Sequence, residues 1–375
     1  MSHFRPPGGV HMPNPQHSGV PIVKDSHRSP ALRVGLIGCG QWGANVATAA
    51  DRSDTIELAA VSDIKLEAAA ALGRGLASQP RIVSPGDLLD DESIDAVLVV
   101  TDADTHYDLA LAAINNGKHV FVEKPLAMSS AQCMVLVDAA EAAGRTLMVG
   151  HTFLYSEHVA EVKRALGQGT LGDLRAVHMQ RLAYGRFRED ANVTWNLGPH
   201  DVSILMHWAG RAPVAIRCVE YMFTRPDISD LAFMTLDFGD FLGHVQLSSI
   251  DPEKVRRATI AGSAAGIVYD DVTGEVRLTT NGTNTPVAVP VESGKRPLDI
   301  EIGHLARCIT TGARPKTDGL HGAMVVAVLE AAAESALSGG TWIDVPQPIP
   351  DPRLPPRQGR GCDPETKTHA LVGHA

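Results

Sequence analysis

The chain has 375 residues, 44% hydrophobic and 20% charged, enough for two globular domains with substantial cores and unlike a disordered or fibrous chain. Its net charge of -10, with an isoelectric point near 5.9, excludes a general nucleic-acid or anionic-membrane binder, because both repel an acidic surface. Five cysteines (Cys39, Cys133, Cys218, Cys308, Cys362) form no CxxC pair, which fits a reducing cytoplasm and neither a disulfide scaffold nor a zinc site.

Residues 1–30 are rich in Pro, Gly, Ser and His without any period, so a disordered arm is expected there. Its histidines His3, His11, His17 and His27 are irregularly spaced and read as solvated tail residues rather than metal ligands. The arm lacks the apolar core of a signal peptide. No run approaches the roughly 18 apolar residues that span a bilayer, so a protein of the cytoplasm is expected.

From Leu32 the pattern becomes strand, glycine turn, helix: LRVGLIG, then Gly38-Cys39-Gly40-Gln41-Trp42-Gly43, then ANVATAA. This is the context a dinucleotide fingerprint requires. Next come the strand IELAAVS ending at Asp63, a helix over 65–72, the strand DAVLVV ending at Thr101, and a helix over 106–116. The strand HVFVE ends in Glu123-Lys124-Pro125, a helix capped by Ser129 or Ser130 follows, and the strand TLMVG closes the unit near Gly150. Such alternation predicts a doubly wound parallel sheet. After a helix over 158–166 the pattern turns to β segments punctuated by Gly-Asp and Asn-Gly, predicting a large, mostly antiparallel sheet. Helices over 299–311 and 320–338 end the ordered pattern, and the segment from Pro346 reads as a mobile tail.

In the glycine turn, Gly38 permits the bend, Gly40 lets the backbone approach a pyrophosphate, and Gly43 lets helix and strand pack closely. The helix N-terminus then offers free N–H groups to phosphates. Asp63 stands where a carboxylate accepts ribose hydroxyls and repels a 2′-phosphate, favouring NAD over NADP, although Lys65 softens that exclusion. It can equally cap the next helix. Lys124, at the carboxyl end of a strand and held extended by Pro125, can bond a substrate hydroxyl and stabilise an alkoxide. Asn196 and His200 are four apart and share a helical face, and a histidine is the usual base for a hydroxyl proton. His207, on an apolar stretch, reads as packed. No His, Cys or Asp cluster has metal-ligand spacing.

Together GLIGCGQWGAN, GKHVFVEKPLA, LMVGHTFLY and WNLGPHDVSIL resemble the Gfo/Idh/MocA family, named for glucose-fructose oxidoreductase and inositol dehydrogenase, over about residues 31–345. The resemblance implies an N-terminal Rossmann domain, a C-terminal α+β domain whose open sheet serves in homo-oligomerisation as dimer or tetramer, and hydride transfer between a nicotinamide and a secondary hydroxyl of a sugar or cyclitol. WGxN, HTFLY and WxLxPHD look most similar to the branch that oxidises the 3-hydroxyl of nucleotide-linked amino sugars. Carried over, Lys124 and His200 are catalytic, with Asn196 where the family usually has aspartate. An amide orients a neighbour but cannot stabilise an imidazolium by charge, so His200 is expected to be less basic. Gln41, Trp42, Thr101, His106 and Glu123 join Gly38, Gly40, Gly43, Asp63 and Lys124 along the cofactor edge. A second departure, Asp102 where relatives have proline, has no physical account. His151, Tyr155, Arg181, Tyr184 and Arg186 are expected to reach the substrate, an arginine fork suiting a carboxylate or diphosphate.

The expected divisions are an arm over 1–30, a cofactor domain over 31–150, a substrate-binding and oligomerisation domain over 151–345, and a tail over 346–375. Besides the sugar or nucleotide-sugar dehydrogenase, the resemblance leaves open an inositol dehydrogenase, a redox-neutral glycosidase that retains NAD, and a non-catalytic sensor of NAD or sugar.

Overall fold

A computed structural model describes residues 31–185, 187, 191–280, 282–287 and 295–346. The expected arm of residues 1–30 with its four histidines, the tail over 347–375 and Arg186 lie outside the described residues.

The buried run at Leu32 forms β1 (Leu32–Ile37), and the turn after it leads into α1 (Gln41–Asp51). The first domain continues with β2 (Ile56–Ser62), α2 (Leu66–Arg74), β3 (Arg81–Ile82), α3 (Pro85–Asp90), β4 (Ala96–Val99), α4 (His106–Asn115), β5 (His119–Glu123), α5 (Ser130–Ala143) and β6 (Leu147–Gly150). These strands form a parallel sheet in the order β3-β2-β1-β4-β5-β6. The order reverses between β1 and β4, so the glycine turn and Thr101 face one crevice at the carboxyl ends of the strands. Ser129 caps α5 by accepting from Gln132 N, and Gly144 ends it at φ 62°. Sequence periodicity missed β3, of two residues, and α3, of six, because both are shorter than the window periodicity needs. Ser84-Pro85, cap and first helical residue of α3, was the legible sign.

The second domain comprises α6 (Glu157–Gly167), β7 (Leu174–Tyr184), α7 (Val193–Ala209), β8 (Ala215–Tyr221), β9 (Leu231–Asp237), β10 (Leu242–Ser248), β11 (Ile250–Gly262), β12 (Gly266–Asp270), β13 (Glu275–Thr280), β14 (Thr283–Pro286), α8 (Pro297–Thr311), α9 (Gly319–Leu337) and β15 (Ile343–Asp344). Its nine strands run β14-β13-β12-β11-β7-β10-β9-β8-β15, antiparallel throughout except that β7 and β10 are parallel neighbours. Alternation along β9 buries Ala232, Met234 and Leu236 and leaves Phe233 exposed on the other face.

The last two helices return to the first domain. Val149 N donates to Thr317 O at 2.7 Å, and Arg52, just past the end of α1, pairs with Asp299 of α8 at 2.8 Å. A Cβ on Gly319 or Gly322 would lie 2.7 Å from Leu147 or 2.6 Å from Val149, so glycine lets α9 press against β6. α9, with 19 residues, is long and apolar enough by length and composition to cross a membrane, which corrects the expectation that no run approached that length. Its Val325, Val326, Val328, Leu329 and Ala332 are buried within the protein.

Candidate active site

The glycine turn is built for close approach. Gly38 has φ 105°, and a Cβ on it would lie 2.3 Å from Val100 O, so any other residue meets both backbone strain and a clash. A Cβ on Gly43 would lie 1.9 Å from Gly38 O, which explains why α1 begins so close to β1. By contrast a Cβ on Gly40 would meet nothing within 4 Å, leaving open space in front of the helix. Gly40 caps α1 without a side-chain bond, and the first turn has no acidic residue, so the N-terminal N–H groups suit a pyrophosphate. These features fit a dinucleotide, with Gly38, Gly40, Gln41 and Gly43 forming the cradle.

Asp63 clamps this turn: its Oδ2 accepts from Cys39 N and its Oδ1 from Lys65 N, each at 2.8 Å. The expected capping role is corrected, since Lys65 is the N-cap of α2 and Asp63 bonds the Lys65 N–H ahead of the helix, while each carboxylate oxygen keeps a second lone pair for a ribose hydroxyl. Burial and the Asp63 charge push the Cys39 thiol up to about 12, so it stays neutral.

On the far side of the crevice, Lys124 and Pro125 are joined by a cis peptide. His106, expected on the cofactor, is buried instead: Nδ1 lies 2.7 Å from Pro125 O and Nε2 3.1 Å from Thr101 O. Burial pushes its pKa down, against the pull of the two carbonyls. His106 therefore braces the loops after β4 and β5. Thr101 adds a hydroxyl contact with Thr105 at 2.7 Å. Glu123 Oε1 accepts from Trp42 Nε1 at 2.5 Å and Oε2 from Lys124 N at 3.2 Å, tying the start of α1 to the loop after β5. Burial lifts this carboxyl to about 7, against the pull of Trp42 and Lys124.

Lys124 Nζ donates to Asn196 O at 3.3 Å, so the fold brings together the two predicted halves, 72 residues apart. Asn196 and His200 lie on α7, capped by Asn192 and containing Pro199. The His200 Nδ1 is buried without a partner, and the Phe153 ring meets the imidazole edge-on at 4.9 Å. Burial, then the charges of Lys124, Arg181, His151 and Arg256, push its pKa well below the usual imidazole value. A neutral imidazole beside an ammonium can accept a hydroxyl proton while the ammonium holds the oxygen.

The expected substrate contacts fare differently. Arg181 bonds Asp201 with both arms of its fork, at 2.6 and 3.2 Å, in a pair whose side chains are 7% and 3% exposed; it is a packing element rather than a free anion clamp. Tyr155 is likewise corrected: it is buried, with its hydroxyl 3.0 Å from Thr317 Oγ1. His151 is only 1% exposed, with both ring nitrogens buried and unpartnered, and its ring is T-shaped to His321 at 5.2 Å. Tyr184 is 70% exposed and touches Phe187 at 6.0 Å between ring centroids.

Two cavities flank the centre. One, partly open to solvent, is lined by Phe187, Val193, Asn196, Arg225, Asp230 and Ser249. The other, also partly open, is lined by Phe153, Met179, Arg181, Arg256, Tyr269 and Asp271. Sequence reasoning missed Phe153, whose ring also has Arg181 at 4.5 Å and Arg256 at 5.5 Å, although it sits inside the HTFLY motif. It also missed Asp201, next to His200, and Glu301, which no spacing links to the site. His207 is packed as expected, pushed down to about 3 by burial and nearby lysines. No metal-binding cluster occurs among the described residues.

Family models place this site in context. Residues 32–151 match a model described as "Oxidoreductase family, NAD-binding Rossmann fold", and residues 159–268 match the C-terminal domain of the same Gfo/Idh/MocA family. An "Inositol 2-dehydrogenase 2" from Saccharopolyspora erythraea is 33% identical over 215 residues, 55% of this chain and 63% of that relative. The alignment thus spans about three fifths of that relative's length. A "scyllo-inositol 2-dehydrogenase (NADP(+))" from Bacillus subtilis is 22% identical over 68% of this chain and 74% of the relative. A crystal structure of a UDP-N-acetylglucosamine 3-dehydrogenase from Acidithiobacillus ferrooxidans superposes with a TM-score of 0.73, covering 82% of this chain and 98% of that one at 24% identity, a likeness of fold.

Proposed function

From the premise that this chain belongs to the Gfo/Idh/MocA oxidoreductase family, we propose that it is a dehydrogenase acting on a secondary alcohol of a sugar or nucleotide sugar. The observation that carries this reading is the contact of Lys124 with the turn of α7 that bears Asn196 and His200, at the carboxyl end of β5. When bound, the nicotinamide supplies the hydride acceptor. Gly38, Gly40, Gln41 and Gly43 would hold its pyrophosphate, Asp63 its ribose, and Thr101 and Trp42 would border it. His200 accepts the hydroxyl proton, and Lys124 stabilises the alkoxide that forms as hydride leaves the carbon. The reverse reduction uses the same groups.

The carboxylate of Asp63 beside the glycine turn favours NAD, with NADP disfavoured by charge. The 3-hydroxyl of a nucleotide-linked amino sugar is our preferred position of oxidation, supported by the HTFLY and WxLxPHD motifs. Exposed Tyr184 contacts Phe187, which lines the small pocket beside Asn196 and so offers an aromatic edge to a substrate at its mouth. The domain division at residues 150 and 151, a cytoplasmic location and a homo-oligomer assembled through the open face of the nine-stranded sheet complete the proposal. Phe233, Tyr221 and Trp342, exposed on strands of that sheet or beside it, supply apolar area for such an interface.

Sugars and nucleotide sugars assayed with NAD should yield NADH, and Lys124→Ala should lower kcat about 10² to 10³-fold, the loss expected when one oxyanion donor is removed. An undiminished rate in the variant would refute the assignment. Solvent deuterium entering the sugar without net NADH would instead identify the redox-neutral reaction.

A further inference from the structure

The segment between β6 and α6 carries His151 and Phe153, and Phe153 is the ring that abuts His200. This segment is a single 3-10 turn, Thr152–Tyr155, which has little hydrogen bonding of its own: Leu154 N donates to His151 O and Ser156 N to Phe153 O. What holds it comes from the far end of the chain. Glu301 of α8 accepts from Thr152 Oγ1 at 2.6 Å, Lys316 Nζ donates to Leu154 O at 3.1 Å, and Tyr155 meets Thr317. Among these Glu301 is anomalous. It is 0% exposed, and among the described residues its Oε1 has no partner and its other oxygen bonds only the Thr152 hydroxyl. A carboxylate ion in that position would be buried with one hydrogen bond, which the physics of desolvation disfavours strongly.

We propose that Glu301 is a positioning residue for His200, acting as a neutral carboxylic acid that fastens Thr152 and thereby holds Phe153 against the imidazole. The surroundings agree. Burial, then the neighbouring Glu123 carboxyl, raise the Glu301 carboxyl well above its usual range, against the opposing pull of the Thr152 hydroxyl bond and the Lys316 charge. Around Glu301 stand Glu123 from β5, Thr152 and Tyr155 from the turn, and Lys316 from the loop before α9. The inference rests on the reading of His200 as the proton acceptor, but its test needs no turnover.

The experiment compares wild type, Glu301→Gln, Glu301→Ala and Thr152→Val by amide hydrogen exchange and by thermal unfolding across pH. Glutamine keeps a neutral acceptor for the Thr152 hydroxyl, so exchange across residues 151–156 should match wild type. Removing either member of the bond should speed that exchange about tenfold or more, since the turn then opens locally. Wild type should lose thermal stability as pH rises above neutrality and Glu301 is forced to ionise, whereas Glu301→Gln should lose less. If a substrate is in hand, Glu301→Ala should lower kcat with little change in the dissociation constant of NAD, and Glu301→Gln should restore it. Exchange in Glu301→Gln as fast as in Thr152→Val, or parallel alkaline decline in wild type and Glu301→Gln, would overturn the proposal. Should Glu301→Ala fail to fold, the Glu301→Gln and Thr152→Val comparison decides alone. A protein that oxidises no sugar yet shows the exchange pattern would count against the proposed reaction and leave the fastening of the turn intact.

Discussion

At the scale of the residue, the site depends on ionisable groups held away from their usual state. His200 is held toward the neutral form because burial and the charges of Lys124, Arg181 and Arg256 all oppose its protonation. For a base this has a direct kinetic sign: the acid limb of kcat/KM for alcohol oxidation should fall below about pH 6.5, the ordinary imidazole value. A limb at or above that value would remove His200 from the role. Asp201, one residue on, is committed to Arg181. Replacing Arg181 with methionine would strand a buried carboxylate, a loss of about 3 to 5 kcal/mol measurable by denaturant unfolding. An unchanged unfolding midpoint would show that the pair is better solvated than its geometry implies.

At the scale of the element, the turn from β1 into α1 separates two duties among glycines. Gly38 and Gly43 serve the fold, since a Cβ on either would enter the van der Waals radius of a backbone oxygen. Gly40 serves the ligand, since its missing Cβ opens only onto space. Gly40→Ala should therefore leave thermal stability nearly unchanged while weakening NAD binding about tenfold, ~1.4 kcal/mol, by titration calorimetry. Gly43→Ala should destabilise the protein by about 1 to 3 kcal/mol or more through overpacking. Equal effects on folding in the two variants would contradict this division. α8 has a similar double role: it buries Leu298, Ile302 and Leu305 and, with Lys316 of the loop after it, braces the turn that faces His200.

At the scale of the whole molecule, buried histidines and buried carboxyls pull pH stability in opposite directions. His106, His119, His151, His200 and His207 all have lowered folded values. Their contribution is complete above the unfolded value of about 6.5 and is lost as pH falls below it, because the unfolded chain takes up the protons. Glu123 and Glu301 have raised folded values, so theirs is complete below the unfolded value of about 4.3. It is lost as pH rises, through about 7 for Glu123 and further for Glu301. Histidines outnumber carboxyls between these limits, so stability should climb with pH to a maximum near about 6.5 and decline above it. A melting temperature still rising through pH 8 would show that the carboxyls are not buried as protonated acids.

Local order carried most of the sheet architecture. Five of the six strands of the first sheet, a glycine turn with Asp63 beyond it, and lysine at the end of β5 are written in runs of adjacent residues, because strand burial, turn strain and helix capping act over a few residues. The same holds for Asn196 and His200, which one helical turn places on one face. Elements of two to six residues, β3 and α3, escaped because so short a run has no measurable period. The tertiary structure alone decided the partners. Arg181 reads as a free fork until Asp201 meets it, and His106 reads as a cofactor contact until both its nitrogens are found against carbonyls. Glu301 reads as an ordinary helix residue until it is found beneath Thr152, 149 positions away. Burial and long-range charge set those roles, and both depend on which distant segments the packed core brings within a few ångströms.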